Sequence, residues 1–526
     1  MIRRRSRART RARTHRRAHA LLAVLAGLAI GLAACSGGDD TSGEPDPAPP
    51  GVDRVLAVDG DRVVATLDER YQSYNIEMVE VTGGQFWQPY DAGPGKVIRP
   101  PIDLASERLR NLARGLGPVY IRVSGTWANR TYFDADGTSG GVPPKGFDGV
   151  LTTDQWAGVG EFARAVDGLV VTSFASDTGV RDARGVWLDD QARALLRFSV
   201  DHDVPVVAAE FYNEPGFNIG APAGYDAAQY GRDFKRLQAM VAEVMPDLKL
   251  AGPGSADDVT PIIAEPRIRS ADILRAVDGG FDVFSYHFYP KVSARCGSKE
   301  GPEIALTEEY LSRIETDQRY YEELRDRYMP GAPMWVTETA QAACGGDRWA
   351  AQYRDVIRYV DTLGRLADGD GAVVFHNTLA ASDYGLLDED GFRPRPDYWA
   401  AVLWHRLMGP RVLAVDAPPS ARSGARGLDV YAQCTPGAKG GSVTYAVVNS
   451  STEERTVATT SGGATVYLLT GESLDGEAIE LNGRRLTAAA DGTLPALRGR
   501  RARGPVTIPP ASVAFVVERA GAEACA

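Results

Sequence analysis

VVAAEFYNEPGFNIG, residues 206–220, is a short apolar run that stops at Asn213-Glu214-Pro215. A run of this length bounded by a proline reads as a buried strand, and the proline lets neither helix nor sheet continue past it. Helical spacing follows. Residues 226–244 place Tyr230, Phe234, Leu237, Val241 and Val244 on one face. The same succession of strand and helix recurs on both sides. Strand-like stretches lie at 74–81 (YNIEMVEV), 119–125, 169–175, 206–215, 248–255, 281–290, 334–340 and 371–379. Residues 103–116 carry Leu104, Leu109, Leu112 and Leu116 at helical spacing. Eight strands, each followed by a helix, predict a (β/α)8 barrel of the α/β class over residues 69–409. The alternative is a doubly wound open sheet, but no glycine-rich dinucleotide fingerprint follows the first strand.

Beyond LMGPRVL (407–413) the texture changes to short strand-like runs at 428–434, 442–450, 464–470 and 511–519, separated by Gly, Ser and Asp turns. This predicts a β-sandwich over 410–526. RVLAVDGDRVVATLD (54–68) is also strand-like, so residues 53–68 are expected to pair into that sandwich and tie the two domains together.

The N-terminus is a targeting segment. Residues 1–34 hold nine arginines and no acidic residue, and LLAVLAGLAIGLAA (21–34) is too short to span a bilayer comfortably. It ends at LAAC, which resembles a bacterial lipoprotein signal in which Cys35 becomes the lipidated first residue. Residues 35–52 then read as a flexible tether. The expectation is a protein held by lipid on the cell surface or the periplasmic face of a bacterial membrane. Without residues 1–34 the chain has 49 basic and 69 acidic residues, a balance of −20 that argues against nucleic acid as a partner. Four cysteines remain, Cys296, Cys344, Cys434 and Cys525, which suggests disulfides in an oxidising compartment, with three pairings possible.

In a (β/α)8 barrel the chemistry sits at the C-terminal ends of the strands. The fourth strand ends with Glu214 and the seventh with Glu338, in WVTETA. Two carboxyl groups on facing strand ends are what glycoside hydrolysis requires: one protonated to help the leaving oxygen depart, one ionised to attack the anomeric carbon. The sixth strand ends in SYHFYP, where His287 and Tyr289 share one strand face. A tyrosine there is placed to hydrogen-bond the nucleophile. No metal or organic cofactor is needed.

Asn213-Glu214 after the fourth strand and Glu338 after the seventh resemble clan A glycoside hydrolases. That resemblance implies that Asn213 binds the sugar 2-hydroxyl, Glu214 is the acid/base and Glu338 the nucleophile. The closer resemblance is to glycoside hydrolase family 79, the heparanases and β-glucuronidases, and it runs from about residue 54 to the end. YIRVSGTWANRTYF (120–133) resembles that family's second-strand motif, with Thr126 at a substrate-contacting place. YNIEMV puts Glu77 where heparanase has an aspartate near the sugar, and residues 390–413 resemble the lead-in to the family's sandwich. The match of LDVYAQC and of the terminal EACA implies a Cys434–Cys525 bridge. The family also holds a uronate carboxylate on backbone N–H groups of a glycine turn, helped by a tyrosine after strand eight. Here ETAQAACGG supplies Gly345 and Gly346, one residue farther from Glu338 than in heparanase, and NTLAASDYGLLDE supplies Asn377 and Tyr384. Cys344 lies in the same loop and Cys296 follows the neighbouring strand, so a Cys296–Cys344 bridge is expected to brace the pocket. The resemblance implies a glucuronic-acid-containing glycan or a β-glucuronide as partner. The basic clusters that hold sulfates in heparanase are missing, which favours unsulfated or lightly sulfated glycans. An endo-acting heparanase, a clan A β-xylosidase and a non-catalytic glycan-binding lipoprotein are the alternatives.

Overall fold

The computed structural model describes residues 50–217, 219–415, 427–438 and 440–526. The expected signal segment, Cys35 and most of the tether lie outside the described residues.

Eight parallel strands close into a barrel in the order Gln72–Glu77, Val119–Ser124, Gly168–Ser173, Val206–Glu210, Lys249–Ser255, Val283–Phe288, Met334–Thr339 and Val373–His376, the last pairing with the first. Each strand-like stretch from residue 74 to 379 supplies one of them. The covering helices are Glu107–Arg114, Thr153–Ala165, Asp190–Asp201, Ala227–Val244, Ser270–Val277, Arg313–Tyr328, Asp355–Leu366 and Pro396–Leu407, one after each strand. Local chemistry sets their starts. Before Ala227–Val244 the Asp226 side chain accepts from the Gln229 N–H at 2.8 Å, and the Gln229 side chain accepts from the Asp226 N–H at 3.0 Å.

The first strand is shorter than the sequence predicts. It ends at Glu77, and Met78–Thr82 forms a helical turn. The Glu80 side chain accepts the Glu77 N–H at 3.0 Å, which caps that turn. A run as short as MVEV reads equally well as strand or helix, so periodicity alone does not find this boundary.

Alternation along the strands divides the barrel interior into layers. Tyr120, Val171, Ala208, Ala251, Val283, Trp335 and Phe375 form an apolar plug. Two residues farther along the chain from six of these stand Arg122, Ser173, Glu210, Ser285, Thr337 and Asn377, all polar and all buried. The plug closes the bottom, and the polar layer is the floor of a site at the C-terminal ends.

The C-terminal part is a two-layer sandwich. Leu56, Val457, Val506 and Ile508 of the smaller sheet pack against Leu413, Ala432, Tyr445, Val447, Ala514 and Val516 of the larger. The other face of the larger sheet, with Ala446, Val448, Val513 and Phe515, joins the barrel core beside Trp404. The strand Ser442–Asn449 is therefore buried along its whole length. The N-terminal segment contributes two strands where the sequence suggests one. Arg54–Leu56 runs parallel to Arg455–Thr459 in the small sheet, and Val58–Thr66 runs antiparallel to Arg411–Val415 in the large one. One disulfide joins Cys434 to Cys525 within the sandwich, and a second joins Cys296 to Cys344 above the barrel.

Candidate active site

Arg122 organises the floor. It is 1% exposed and donates to Glu210 Oε2 through Nε (3.0 Å) and Nη2 (2.8 Å), to Asn213 Oδ1 (2.7 Å) and to Glu338 Oε2 (3.2 Å). The Ser285 and Thr337 hydroxyls each donate to Glu210 Oε1 at 2.8 Å. Burial alone would raise the Glu210 carboxyl, but the Arg122 charge and the hydrogen bonds from Arg122 and Thr337 hold it below the usual carboxylate range. Neither Arg122 nor Glu210 is among the residues singled out from sequence. The available signal is a charged residue at an inward position of an apolar barrel strand, in YIRVSG and AAEFYNE. Replacing Arg122 with methionine leaves two carboxylates facing each other without their counter-charge. We expect a loss of about 3–5 kcal/mol of stability, read as a lowered denaturant midpoint.

The Asn213-Glu214-Pro215 turn leaves the fourth strand just above this floor. Glu214 has φ +50°, in the left-handed region that a side chain enters only at a cost. Asn129 holds the turn in that shape: its Oδ1 accepts the Asn213 N–H at 2.9 Å, and its Nδ2 donates to the Asn213 carbonyl (2.9 Å) and the Ile219 carbonyl (2.7 Å). The proline that follows Glu214 keeps its backbone out of the right-handed helical region. The carboxylate behind the strand is thus turned back over the barrel mouth.

Glu214 and Glu338 meet there. One carboxylate oxygen of each, together with a ring nitrogen of His287, lie within 4.8 Å of one another. Glu338 Oε1 accepts from the Tyr289 hydroxyl at 2.5 Å and from Asn377 Nδ2 at 3.4 Å. Glu214 Oε2 accepts from Asn213 Nδ2 at 3.3 Å. His287 Nε2 lies 3.3 Å from Arg122 Nη2, which can only donate, so Nε2 accepts and Nδ1 carries the hydrogen. That Nδ1 lies 3.2 Å from Glu214 Oε1 and 3.6 Å from Glu338 Oε2. Burial lowers the imidazole's pKa, in keeping with a neutral ring. Burial pushes the Glu214 carboxyl up to about 7, with Arg122 opposing the shift and Glu210 adding to it. The three converging atoms are close enough to share a cation, but the Arg122 guanidinium already lies against Glu338 Oε2 and works against one.

A cavity of about 580 Å³ opens over this pair, lined by Glu77, Thr126, Glu214, Tyr289, Glu338, Asn377 and Tyr384 among others. Asn377 Nδ2 lies within 3.4 Å of four oxygens, on Glu77 (3.2 Å), Tyr289 (2.9 Å), Glu338 and Tyr384 (3.3 Å). Two N–H groups cannot serve four acceptors at once, so the cluster retains free acceptor capacity. Burial and the charge of Glu338 hold the Glu77 carboxyl well above the usual range. Gly125, at φ +90°, is required beside it: a Cβ there would lie 1.6 Å from Glu77 Oε2. Asn213 and His287 stand in the wall behind the cavity, buried at 1% exposure each. Gly345 and Gly346, at φ +80° and +73°, belong to the loop after strand seven that borders the cavity. Its wall from this loop is made by Ala343 and Cys344, while the Cβ position of Gly345 points at Arg295, Ser382 and Trp87. The Gly345 carbonyl accepts the Asp383 N–H at 3.2 Å and the Ser382 hydroxyl at 2.8 Å, which holds the turn against the loop that follows strand eight.

Residues 56–364 match the glycosyl hydrolase family 79 N-terminal domain. The chain belongs to glycosyl hydrolase family 79. Heparanase-like protein 1 of Arabidopsis thaliana is 25% identical over 536 residues, covering 88% of this chain and 92% of that protein. Inactive heparanase-2 of Homo sapiens is 27% identical over 379 residues, covering 67% of this chain and 62% of that one. Among solved structures, a 4-O-α-L-rhamnosyl-β-D-glucuronidase from Fusarium oxysporum superposes with a TM-score of 0.60 at 13% identity, over 89% of this chain and 99% of that one, a likeness of fold. Because family 79 relatives include a protein named inactive, membership alone does not decide activity, and the weight falls on the geometry of the two glutamates.

Proposed function

We propose that this family 79 protein releases β-linked glucuronic acid from glycans or glucuronides, with retention of configuration. The observation that carries the reading is the approach of Glu214 and Glu338 to within 4.8 Å. Carboxyl groups about 5–5.5 Å apart suit a covalent intermediate, whereas inversion needs about 6.5–9.5 Å to admit a water. In the first step Glu338 attacks the anomeric carbon while Glu214 gives its proton to the departing glycosidic oxygen. In the second, Glu214 takes a proton from a water that attacks the same carbon and frees Glu338. Tyr289 and Arg122 hold one oxygen each of Glu338, fixing its plane. His287 and Asn213 hold Glu214 in the same way.

The substrate side rests on charge. Of the two cations that line the cavity among the described residues, Lys96 and Arg130, the second is spent on Asp148 at 2.7 Å and Asp177 at 2.9 Å. In the loop after strand five Arg269 is likewise held, by the Asp258 carbonyl and Glu265. A cleft so poor in free cations favours unsulfated glucuronides over heparin. A panel of 4-nitrophenyl β-glycosides, run beside highly sulfated heparin, tests this. We expect the glucuronide to be turned over fastest, with the β-anomer as first product by NMR. Faster cleavage of heparin, or an α-anomer first, overturns it.

The acid/base role also predicts a pH dependence. Above about pH 7 Glu214 loses the proton it must donate, so kcat/KM should fall about tenfold per pH unit on substrates with poor leaving groups. A limb near pH 4.5 instead would mean that the essential acid is another group.

A further inference from the structure

A second cavity, of about 520 Å³, lies beside the catalytic one. Tyr289 lines both. The loops after strands five and six and the helix Arg313–Tyr328 supply the rest of its wall. Ile262 faces this cavity and Ile263 the catalytic one, so a single turn of the loop after strand five divides the two spaces. The Cys296–Cys344 disulfide crosses the same divide, with Cys296 on one side and Cys344 on the other.

The charges in this second cavity do not balance. Lys291 is held by Asp347 at 2.8 Å and by the Glu300 carbonyl at 2.6 Å, and Arg313 by the two Glu300 carboxylate oxygens at 3.0 and 2.7 Å. Two carboxyl groups remain. Asp317 is 7% exposed, and among the described residues no hydrogen bond or ion pair reaches its side chain. Asp257, equally buried, accepts from the N–H groups of Ile262 (3.1 Å), Ile263 (2.6 Å) and Ala264 (3.2 Å), all at Oδ2. Its Oδ1 has no donor among the described residues. Both side chains line the cavity. Burial pushes the Asp317 carboxyl up to about 7, with the charges of Asp257 and Asp258 adding to the shift. A carboxylate buried without a counter-charge costs stability.

The cavity also lies on the side from which a leaving group departs. The leaving oxygen takes its proton from Glu214, which follows strand four, and strand five pairs with strand four. Burial pushes the Asp257 carboxyl up to about 6, and the charge of Glu214 adds to that rise. Thr260, Ser298 and Thr316 line the cavity too, and their hydroxyls suit a sugar. A protonated amine on that sugar would supply the missing counter-charge together with its hydrogen bonds. We propose that this cavity holds the leaving group and that Asp317 and Asp257 Oδ1 bind a free ammonium on it. The preferred substrate is then a glucuronide of an amino sugar whose nitrogen carries neither acetyl nor sulfate. This rests on the glucuronidase reading above and deepens it by naming the leaving group.

The test uses β-D-glucuronyl-(1→3)- and -(1→4)-D-glucosamine, their N-acetyl counterparts and 4-nitrophenyl β-D-glucuronide, with calorimetric binding of D-glucosamine, N-acetyl-D-glucosamine and calcium. Wild type should cleave a free-amine disaccharide with a kcat/KM about 10- to 100-fold above that of its N-acetyl form, the value of one hydrogen bond to a charged group. D-glucosamine should bind more tightly than N-acetyl-D-glucosamine by a similar factor. Asp317→Asn should remove most of both preferences, and it should raise the melting temperature because an unpaired buried carboxylate is gone. A side chain kept for structure alone would lower the melting temperature and leave the preferences in place. Asp257→Asn, which keeps an oxygen for the three N–H groups, should weaken both preferences as well. Equal rates on free-amine and N-acetyl forms, with D-glucosamine binding unaffected by Asp317→Asn, overturn the assignment. Turnover of the aryl glucuronide in that case leaves the glucuronidase reading intact. Calcium binding lost in Asp317→Asn, with no response to D-glucosamine, overturns it too. If wild type hydrolyses no glucuronide, the glucuronidase reading fails, and the calorimetric comparison alone decides the role of Asp317.

Discussion

Glu338→Gln should lower kcat on an aryl β-glucuronide by about 10⁴-fold or more while leaving the fold and substrate affinity in place. The amide cannot form the glycosyl ester, so the first step has no nucleophile. The fold should survive because the replacement keeps an oxygen that accepts from Tyr289 or Arg122, and Arg122 retains its bonds to Glu210 and Asn213. The checks are steady-state rates, an unchanged melting profile and retained calorimetric binding of D-glucuronate. Activity above about one hundredth of wild type would remove Glu338 from the nucleophile role.

Glu214→Ala should behave differently, and the contrast is what separates the two roles. Without an acid, departure of a poor leaving group should slow by about 10²–10⁴-fold, whereas a 2,4-dinitrophenyl glucuronide, which leaves unassisted, should form the intermediate almost normally. The second step then lacks its base and becomes limiting. Azide needs no base, fits the space left by the missing side chain, and should restore turnover by forming a β-glucuronyl azide. The geometry supports this because Glu214 is held by His287 and Asn213 and not by Arg122, so its removal spares the bonds around Glu338. An equal loss with every leaving group and no response to azide would void the assignment.

Much of the barrel is legible in the order of residues. All eight strands overlap the apolar stretches marked by periodicity, because parallel barrel strands are buried on both faces and read as short continuous apolar runs. Where the expected strand runs too long, at residues 78–81, the deciding interaction is one side-chain cap from Glu80. The two N-terminal strands read as one because sheet membership depends on partners about 400 residues away, such as Val457 opposite Arg54. In the site, Asn213, Glu214, His287, Tyr289 and Glu338 stand out by residue type at strand ends. Arg122 and Glu210 do not, because a buried ion pair is visible in the sequence only as two separate charges in apolar strands, and their meaning comes from each other.

The chain's linear order by itself determined the alternation that makes a barrel, the ends of the strands where polar groups gather, and two glutamates placed on the fourth and seventh of them. Those are consequences of local burial and spacing. Only the tertiary structure decided how far apart those glutamates lie and which donors each receives. Distances between segments more than a hundred residues apart are set by barrel closure and by the Arg122–Glu210 pair beneath the site, and neither is encoded in any single stretch of chain.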